Sequence, residues 1–172
     1  MRELVNLFRE VQPTILALPD PLDKHPDHRA AGLFALLAVD EWAGEGAKPP
    51  GTMPRLLAYL VHWPAWPPGW DAPPPGDSAK ATLTLPANLP RRGLDQAVLL
   101  LGDDEMAGKR AAMAKYGSQQ EEMPSFLAAF MRRTEPFSVL TAKDAKNIDQ
   151  EIERQIAPGG TTVGTPSADR QK

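Results

Sequence analysis

Proline constrains this chain more than any other residue type. The sequence has 19 prolines in 172 residues, and eleven of them lie between Pro49 and Pro90. Proline fixes φ, lacks a backbone N–H and is excluded from helix interiors and central strands. Residues 49–90 therefore cannot form one continuous helix or central strand, and we predict a long Pro-rich excursion from an otherwise regular domain.

The residues before this excursion have the apolar spacing of a layered α/β domain. Residues 2–11 carry an amphipathic helical stripe, and residues 14–18 form a short apolar run bounded by prolines, as in a buried strand. A mostly apolar helix is predicted from Pro26 to about Ala43, with the proline in its first turn. Helix, strand, loop and helix in this order make one repeat of an α/β layered fold.

The rest of the chain is predicted to continue this single domain. The domain covers residues 1–156, and residues 157–172, rich in Gly, Thr, Ser and Pro, are predicted to be a disordered tail. The segment 95–101 fits either a strand or a helix. Further strands are predicted over residues 54–62, 81–85 and 136–140, and further helices over residues 103–116, 119–132 and 142–156.

Composition limits the kinds of partner and of metal site that we expect for this chain. The formal net charge is −3, which gives no strong positive field for nucleic acid or an anionic membrane. No apolar run approaches the ~20 residues that span a bilayer. Cysteine is absent, so any metal site must use His, Asp or Glu. We therefore expect no nucleic-acid partner, no transmembrane segment and a cytoplasmic location.

Two of the three histidines stand together in the segment His25-Pro26-Asp27-His28. Their i, i+3 spacing at a predicted helix start places both rings on one side. The segment follows a predicted buried strand, and open α/β sheets bind ligands at the carboxyl ends of their strands. Asp20 and Asp23 lie just before it. Imidazole and carboxylate would suit zinc, but acids at a helix start also serve as caps, so spacing alone leaves both interpretations open.

A family resemblance extends this motif. The segment LPDPLDKHPDHRAAG, residues 18–32, resembles the second metal motif of the LmbE/PIG-L zinc-dependent N-acetylglucosaminyl deacetylases. Downstream, residues 109–119 resemble the family's helix with Lys, Ala, Tyr and Ser-Gln, and Glu135-Pro136-Phe137 resembles its closing Glu-x-Phe element. The pieces follow one another in the family's order. Together with the α/β pattern, the resemblance implies a Rossmann-like layered fold with a mostly parallel sheet.

The resemblance also implies roles for individual residues. His28 matches a zinc ligand, His25 matches the histidine that contacts the reacting amide or its oxyanion, and Asp27 matches the acid that tunes a nearby histidine. The implied reaction is zinc-assisted hydrolysis of the acetyl group of an N-acetylated sugar or glycolipid. Arg29 is a candidate substrate-binding residue, with bracing of Asp23 or Asp27 as the alternative.

Three tryptophans, at positions 63, 66 and 70, lie among the prolines that follow. Any of the three indole rings could stack on a sugar ring or an acyl chain, and Trp63 and Trp66 are named as the candidate substrate-binding residues. Packing within the Pro-rich loop is the alternative, because indole rings bury large apolar areas.

One part of the family pattern is missing from these residues. The family's first motif, Ala-His-Pro-Asp-Asp-Glu, supplies a histidine and an aspartate to zinc and also the general base, and no such segment occurs here. Its nearest counterpart, Gly102-Asp103-Asp104-Glu105, has no histidine and is interpreted as a helix start with solvated charges. His62 ends a predicted strand and is interpreted as structural or as part of the rim.

We therefore predict an N-terminally incomplete domain with little or no activity on its own, because one matched ligand cannot hold a catalytic zinc tightly. Three explanations stay open: a chain that lacks the start of the natural protein, an inactive remnant, or a site completed by a second chain. The alternative function is a non-catalytic module that binds a glycan or a partner protein.

Overall fold

The computed structural model describes residues 1–44, 53–70, 82–90, 95–141 and 144. These residues form five helices and one four-stranded mixed sheet, which confirms an α/β arrangement. The predicted helix 142–156, the tail 157–172 and parts of the Pro-rich excursion lie outside the described residues. In chain order the elements are α1 (Arg2–Val11), β1 (Ile15–Pro19), α2 (Pro26–Gly44), β2 (Arg55–Tyr59), β3 (Asp95–Leu100), α3 (Asp103–Met113), α4 (Gly117–Glu122), α5 (Pro124–Ala129) and β4 (Thr134–Leu140).

The first three elements have the predicted type and order and contribute to the core, although β1 buries only Leu18 and leaves Ile15 exposed, in contrast to the predicted buried strand. α1 ends at Gln12, whose backbone is left-handed with φ of 48° and whose N–H donates to the carbonyl of Phe8 at 2.9 Å. Phe8 packs on Trp42 of α2 with 6.0 Å between ring centroids. The described residues include no helix long and apolar enough to span a membrane. The core joins the two helices to the sheet through Val5, Leu18, Leu36, Val39, Leu56, Ala58 and Leu140.

The strand order is β1-β2-β4-β3. β1 and β2 run parallel, with Leu18 opposite Ala58, whereas β4 is antiparallel to both of its neighbours. The expectation of a mostly parallel sheet is therefore wrong for the described strands. The reason is that the chain leaves β3 and enters β4 at the same end of the sheet, where Leu100 pairs with Thr134.

Two other predicted elements differ from the structure. Residues 82–85 are not a strand, because Leu83 bonds through its backbone N–H and C=O to the hydroxyl of Thr134 instead of joining a ladder. The helix predicted over residues 119–132 is divided into α4 and α5 at Met123. Pro124 explains the division, since it lacks an N–H and disfavours helical geometry in the residue before it.

The parallel pair β1–β2 brings two loops together at its carboxyl end. The N–H of Asp20, just after β1, donates to the carbonyl of Tyr59 at 2.7 Å, and the N–H of Lys24 donates to the carbonyl of His62 at 2.9 Å. Gly32 lets α2 approach this end closely, because a Cβ there would overlap the carbonyl oxygen of Pro19. The loop after β1, the start of α2 and the loop after β2 are thereby fixed side by side.

Candidate metal centre

Asp23 is the centre of this loop cluster, and its side chain is fully buried. Its Oδ1 accepts the backbone N–H of His25 at 2.8 Å, and its Oδ2 accepts the N–H groups of Val61 and His62 at 2.8 and 2.9 Å. A carboxylate offers about four lone-pair sites. The described donors fill two on Oδ2 and one on Oδ1, so Oδ1 retains one site.

All three histidines of the chain surround this carboxylate. The ring centroids are 4.8 Å apart for His25 and His28, 5.1 Å for His25 and His62, and 4.9 Å for His28 and His62. The first of these distances confirms that the i, i+3 pair faces one way. Nδ1 of His28 lies 3.4 Å from Oδ2 of Asp23, and Nδ1 of His62 lies 3.5 Å from Oδ1.

Neither of these two Nδ1 atoms forms a hydrogen bond with the described residues, although both are buried. Their separations from the Asp23 oxygens, 3.4 and 3.5 Å, are longer than the usual N–H···O distance. Buried polar atoms without partners are rare and cost free energy. A cation held between the carboxylate and the two rings would satisfy both nitrogens at once.

Electrostatics at His62 favours the form that binds a metal. Burial lowers the pKa of His62, and the neighbouring His28 and His25 lower it further, against the opposing effect of Asp23. The imidazole is therefore neutral at physiological pH and keeps a lone pair for coordination. At the edge of the cluster, burial raises the pKa of Tyr59, with smaller contributions from Asp23 and Tyr116. Its hydroxyl thus stays protonated as a hydrogen-bond donor.

Asp23, His28 and His62 can each direct one ligand atom into the same space, since these atoms all lie within 4.8 Å of one another. Two imidazoles and one carboxylate match the three protein ligands of a catalytic zinc, which keeps a further position open. The arrangement suits Lewis-acid chemistry better than nucleophilic catalysis.

The predicted site residues differ in whether their side chains reach the histidine cluster. His25 and His28 belong to the cluster, whereas the Asp27 side chain is exposed. The contact that Asp27 makes with His25 is through its backbone N–H, which donates to Nδ1 at 3.3 Å. The carboxylate beside the histidines is that of Asp23. Arg29 donates from Nε to the main-chain carbonyl of Asp23 at 3.4 Å, in agreement with the bracing alternative.

Trp63 and Trp66 are buried, so their rings present little surface on which a sugar could stack. The indole N–H of Trp63 donates to Asn88 at 2.9 Å, and Lys24 Nζ lies 4.7 Å from the centroid of the Trp63 ring. The indole N–H of Trp66 donates to the carbonyl of Leu60 at 3.4 Å. Packing within the loop, the alternative interpretation, accounts for both.

His62 was not predicted as a ligand from the sequence, and Asp23 was named only as one of two nearby carboxylates that could join a metal site. The signal that could have found them is positional, because Asp23 follows β1 and His62 follows β2 after similar intervals. Recognising it requires knowing that these two strands are parallel neighbours. The acidic segment at Gly102–Glu105 agrees with its prediction: Asp103 starts α3, is exposed and bonds to Arg133 at 2.6 Å.

Comparisons with protein-family models, with curated proteins and with solved structures found no match to this chain. The functional interpretation consequently depends on the histidine motif, its order with the downstream segments, and the geometry of the cluster.

Proposed function

We propose that the Asp23–His28–His62 cluster is the zinc site of a hydrolase that removes the acetyl group from an N-acetylglucosamine-type sugar or glycolipid. The observation that carries this proposal is the convergence of one buried carboxylate and two imidazoles whose buried Nδ1 atoms have no hydrogen-bond partner among the described residues. The acetamide substrate comes from the resemblance to the LmbE/PIG-L deacetylases. The Rossmann-like layering, the incomplete sheet and the cytoplasmic location belong to the same proposal.

The residues present fit zinc. The site offers nitrogen and carboxylate oxygen in a chain without thiols, and the ligand count leaves room for water and substrate. Asp23 would contribute the remaining lone pair of Oδ1, while its three backbone hydrogen bonds fix the orientation of the carboxylate. When bound, zinc would polarise the acetyl carbonyl and activate water for its hydrolysis.

We propose that His25 assists the hydrolysis from a position beside the zinc ligands. Its ring lies 4.8 and 5.1 Å from those of His28 and His62, and the backbone N–H of Asp27 bonds to its Nδ1 at 3.3 Å. That hydrogen bond leaves Nε2 as the nitrogen that can donate a proton or hydrogen bond to the substrate oxygen. The general base implied by the resemblance belongs to the first motif, so we propose that this chain alone turns over slowly or not at all.

Zinc binding tests the proposal without depending on turnover. Isothermal titration of the full chain with zinc is expected to show one site, and His28→Ala and His62→Ala are each expected to weaken it at least about 100-fold. His25→Ala is the matched control, because it removes a ring from the same cluster and leaves the three ligands. We expect its zinc affinity to stay within about threefold of that of the parent chain.

Two results would overturn the zinc site. One is a full chain that binds no zinc. The other is a His62→Ala variant that binds zinc as tightly as the parent chain, since the cluster would then not be the binding site. A zinc-free chain that still binds N-acetylated sugars would instead support the non-catalytic glycan-binding module.

A further inference from the structure

The tryptophan that the sequence analysis did not assign has the exposure that a sugar platform needs. Trp63 and Trp66 are buried, whereas Trp70 keeps 43% of its surface exposed. We infer that Trp70, backed by Phe126, is the surface on which the sugar ring of the substrate stacks while its acetamide group reaches the histidines. This inference rests on the proposed function, because it assigns a substrate-binding residue to the same site.

A continuous set of ring contacts connects Trp70 to the candidate metal centre. His62 stacks on Phe126 with 5.5 Å between centroids and an interplanar angle of 16°. Trp70 meets the same phenyl ring edge-on, at 6.4 Å and 74°. A single ring therefore separates the exposed indole from a proposed zinc ligand, and a sugar on Trp70 lies beside the cluster.

The platform is held by the fold. The N–H of Trp70 donates to the carbonyl of Pro67 at 3.3 Å, and Gly69 between them has φ of 82°, a conformation that favours glycine. The buried Arg132 donates from Nη2 to the carbonyl of Pro68 at 3.3 Å. The turn that carries the indole of Trp70 is thus fixed to Arg132, which lies just before β4.

The phenyl ring behind the platform is also fixed. Phe126 packs edge-on against Phe130 at 5.3 Å, and Phe130 packs edge-on against the buried Trp66 at 6.3 Å. Trp70 is therefore joined through Phe126 to one aromatic cluster, which also contains Phe130 and Trp66. A preorganised surface loses little conformational entropy when a ligand binds.

The chemistry of this surface fits a pyranose ring. One face of a hexopyranose presents axial C–H groups with partial positive charge, and an aromatic face carries partial negative charge. Stacking covers these C–H groups and leaves the hydroxyls in water. The acetamide substituent extends from the ring edge, so a hexosamine stacked on Trp70 can direct its acetyl carbonyl toward His25 and His62. We therefore assign an N-acetylated hexosamine, rather than an unmodified glucan, to this surface.

Ligand-observed NMR titration of the full chain with the disaccharide of N-acetylglucosamine tests the assignment. Trp70→Ala is expected to raise the dissociation constant about tenfold, which is typical for loss of one stacked aromatic ring. Trp70→Phe keeps an aromatic face and is expected to restore most of the affinity. Phe34→Ala is the control, because Phe34 is an aromatic residue of α2 with 53% exposure, beyond the first turns that carry His28.

Zinc titration of the same variants separates the two proposals. Trp70→Ala is expected to bind zinc as the parent chain does, since it removes no ligand. A parent chain that does not bind the disaccharide, or a Trp70→Ala variant that binds it normally, overturns the platform and leaves the zinc site intact. A parent chain that binds no zinc overturns the proposed function, whether or not that chain binds the disaccharide.

Discussion

The parallel and antiparallel halves of the sheet differ in what their ends carry. At the carboxyl end of the parallel pair β1–β2, the following loops bring a buried carboxylate, Asp23, together with His28 and His62. In the antiparallel half, the edge strand β3 exposes Leu99 and Leu100 to 55% and 76%. Its neighbouring charges include the ion pair of Asp103 with Arg133, in which the Asp103 side chain is 88% exposed.

The difference follows from strand direction. Parallel neighbours end at the same edge of a sheet, so the residues after β1 and those after β2 meet although they are far apart in sequence. Asp23 and the N–H groups of Val61 and His62 are joined in this way. In the antiparallel half neighbouring strands end at opposite edges, and the buried polar residues Thr134 and Ser138 lie within β4 itself. The buried carboxylate of Asp23 and the histidines therefore converge at the carboxyl end of the parallel pair.

The largest expected difference in stability is between alanine substitutions at two aspartates, one in each half. Asp23→Ala removes the acceptor of three backbone N–H groups and is expected to lower the free energy of unfolding by about 4 kcal/mol. Asp103→Ala removes an exposed partner of Arg133 and should change the urea midpoint only slightly. Urea unfolding followed by circular dichroism measures both. Similar losses in the two variants would show that the parallel end is not more tightly organised than the other half.

The next largest change in the free energy of unfolding is expected from alanine substitutions at two helical glycines. In Gly32→Ala the new Cβ overlaps the carbonyl oxygen of Pro19 and lies 3.2 Å from the Pro21 ring, so a loss of about 2 kcal/mol is expected. Gly108→Ala on α3 meets nothing within 4 Å and should stabilise the protein by roughly 0.5–1 kcal/mol. Thermal unfolding measures both changes. If Gly32→Ala were also stabilising, α2 would not be packed closely against the end of β1.

The smallest expected effect is on the pH dependence of stability. Burial lowers the pKa of His62 below 6.5, so the unfolded chain takes up this proton more readily than the folded one. For the metal-free protein, the free energy of unfolding should therefore decrease as pH falls through 6.5 toward the lowered pKa. His62→Gln should reduce that slope. An unchanged slope in the variant would mean that His62 is not the group responsible.

The antiparallel half provides the comparison for this pH experiment. Hydrogen bonding to Arg133 lowers the pKa of Asp103 below 3.8, so its contribution to stability is present above pH 3.8 and is lost as pH falls through the lowered pKa. Asp103→Asn should change the curve only in that acidic range. A change near pH 6 in this variant would contradict the separation of the two halves.

The predictable parts of the fold were those with local signals. The amphipathic stripe of α1, the apolar run of β1 and the proline at the start of α2 identified three consecutive elements. The single helix predicted over residues 119–132 was wrong, because Pro124 disfavours helical geometry in Met123 and begins a separate helix. The mostly parallel sheet was also wrong for the described strands, since strand direction depends on connections that apolar periodicity does not encode.

Local sequence is sufficient to place His25 and His28 on one side of a helix start, because 3.6 residues per turn fixes the relation of i to i+3. The absence of cysteine likewise restricts a metal site here to nitrogen and oxygen ligands. The meeting of Asp23 and His62 with His28, and the exposure of Trp70 rather than of Trp63 or Trp66, follow instead from the three-dimensional packing. Both outcomes depend on how separate segments pack after distant strands pair, and local sequence carries no record of that pairing.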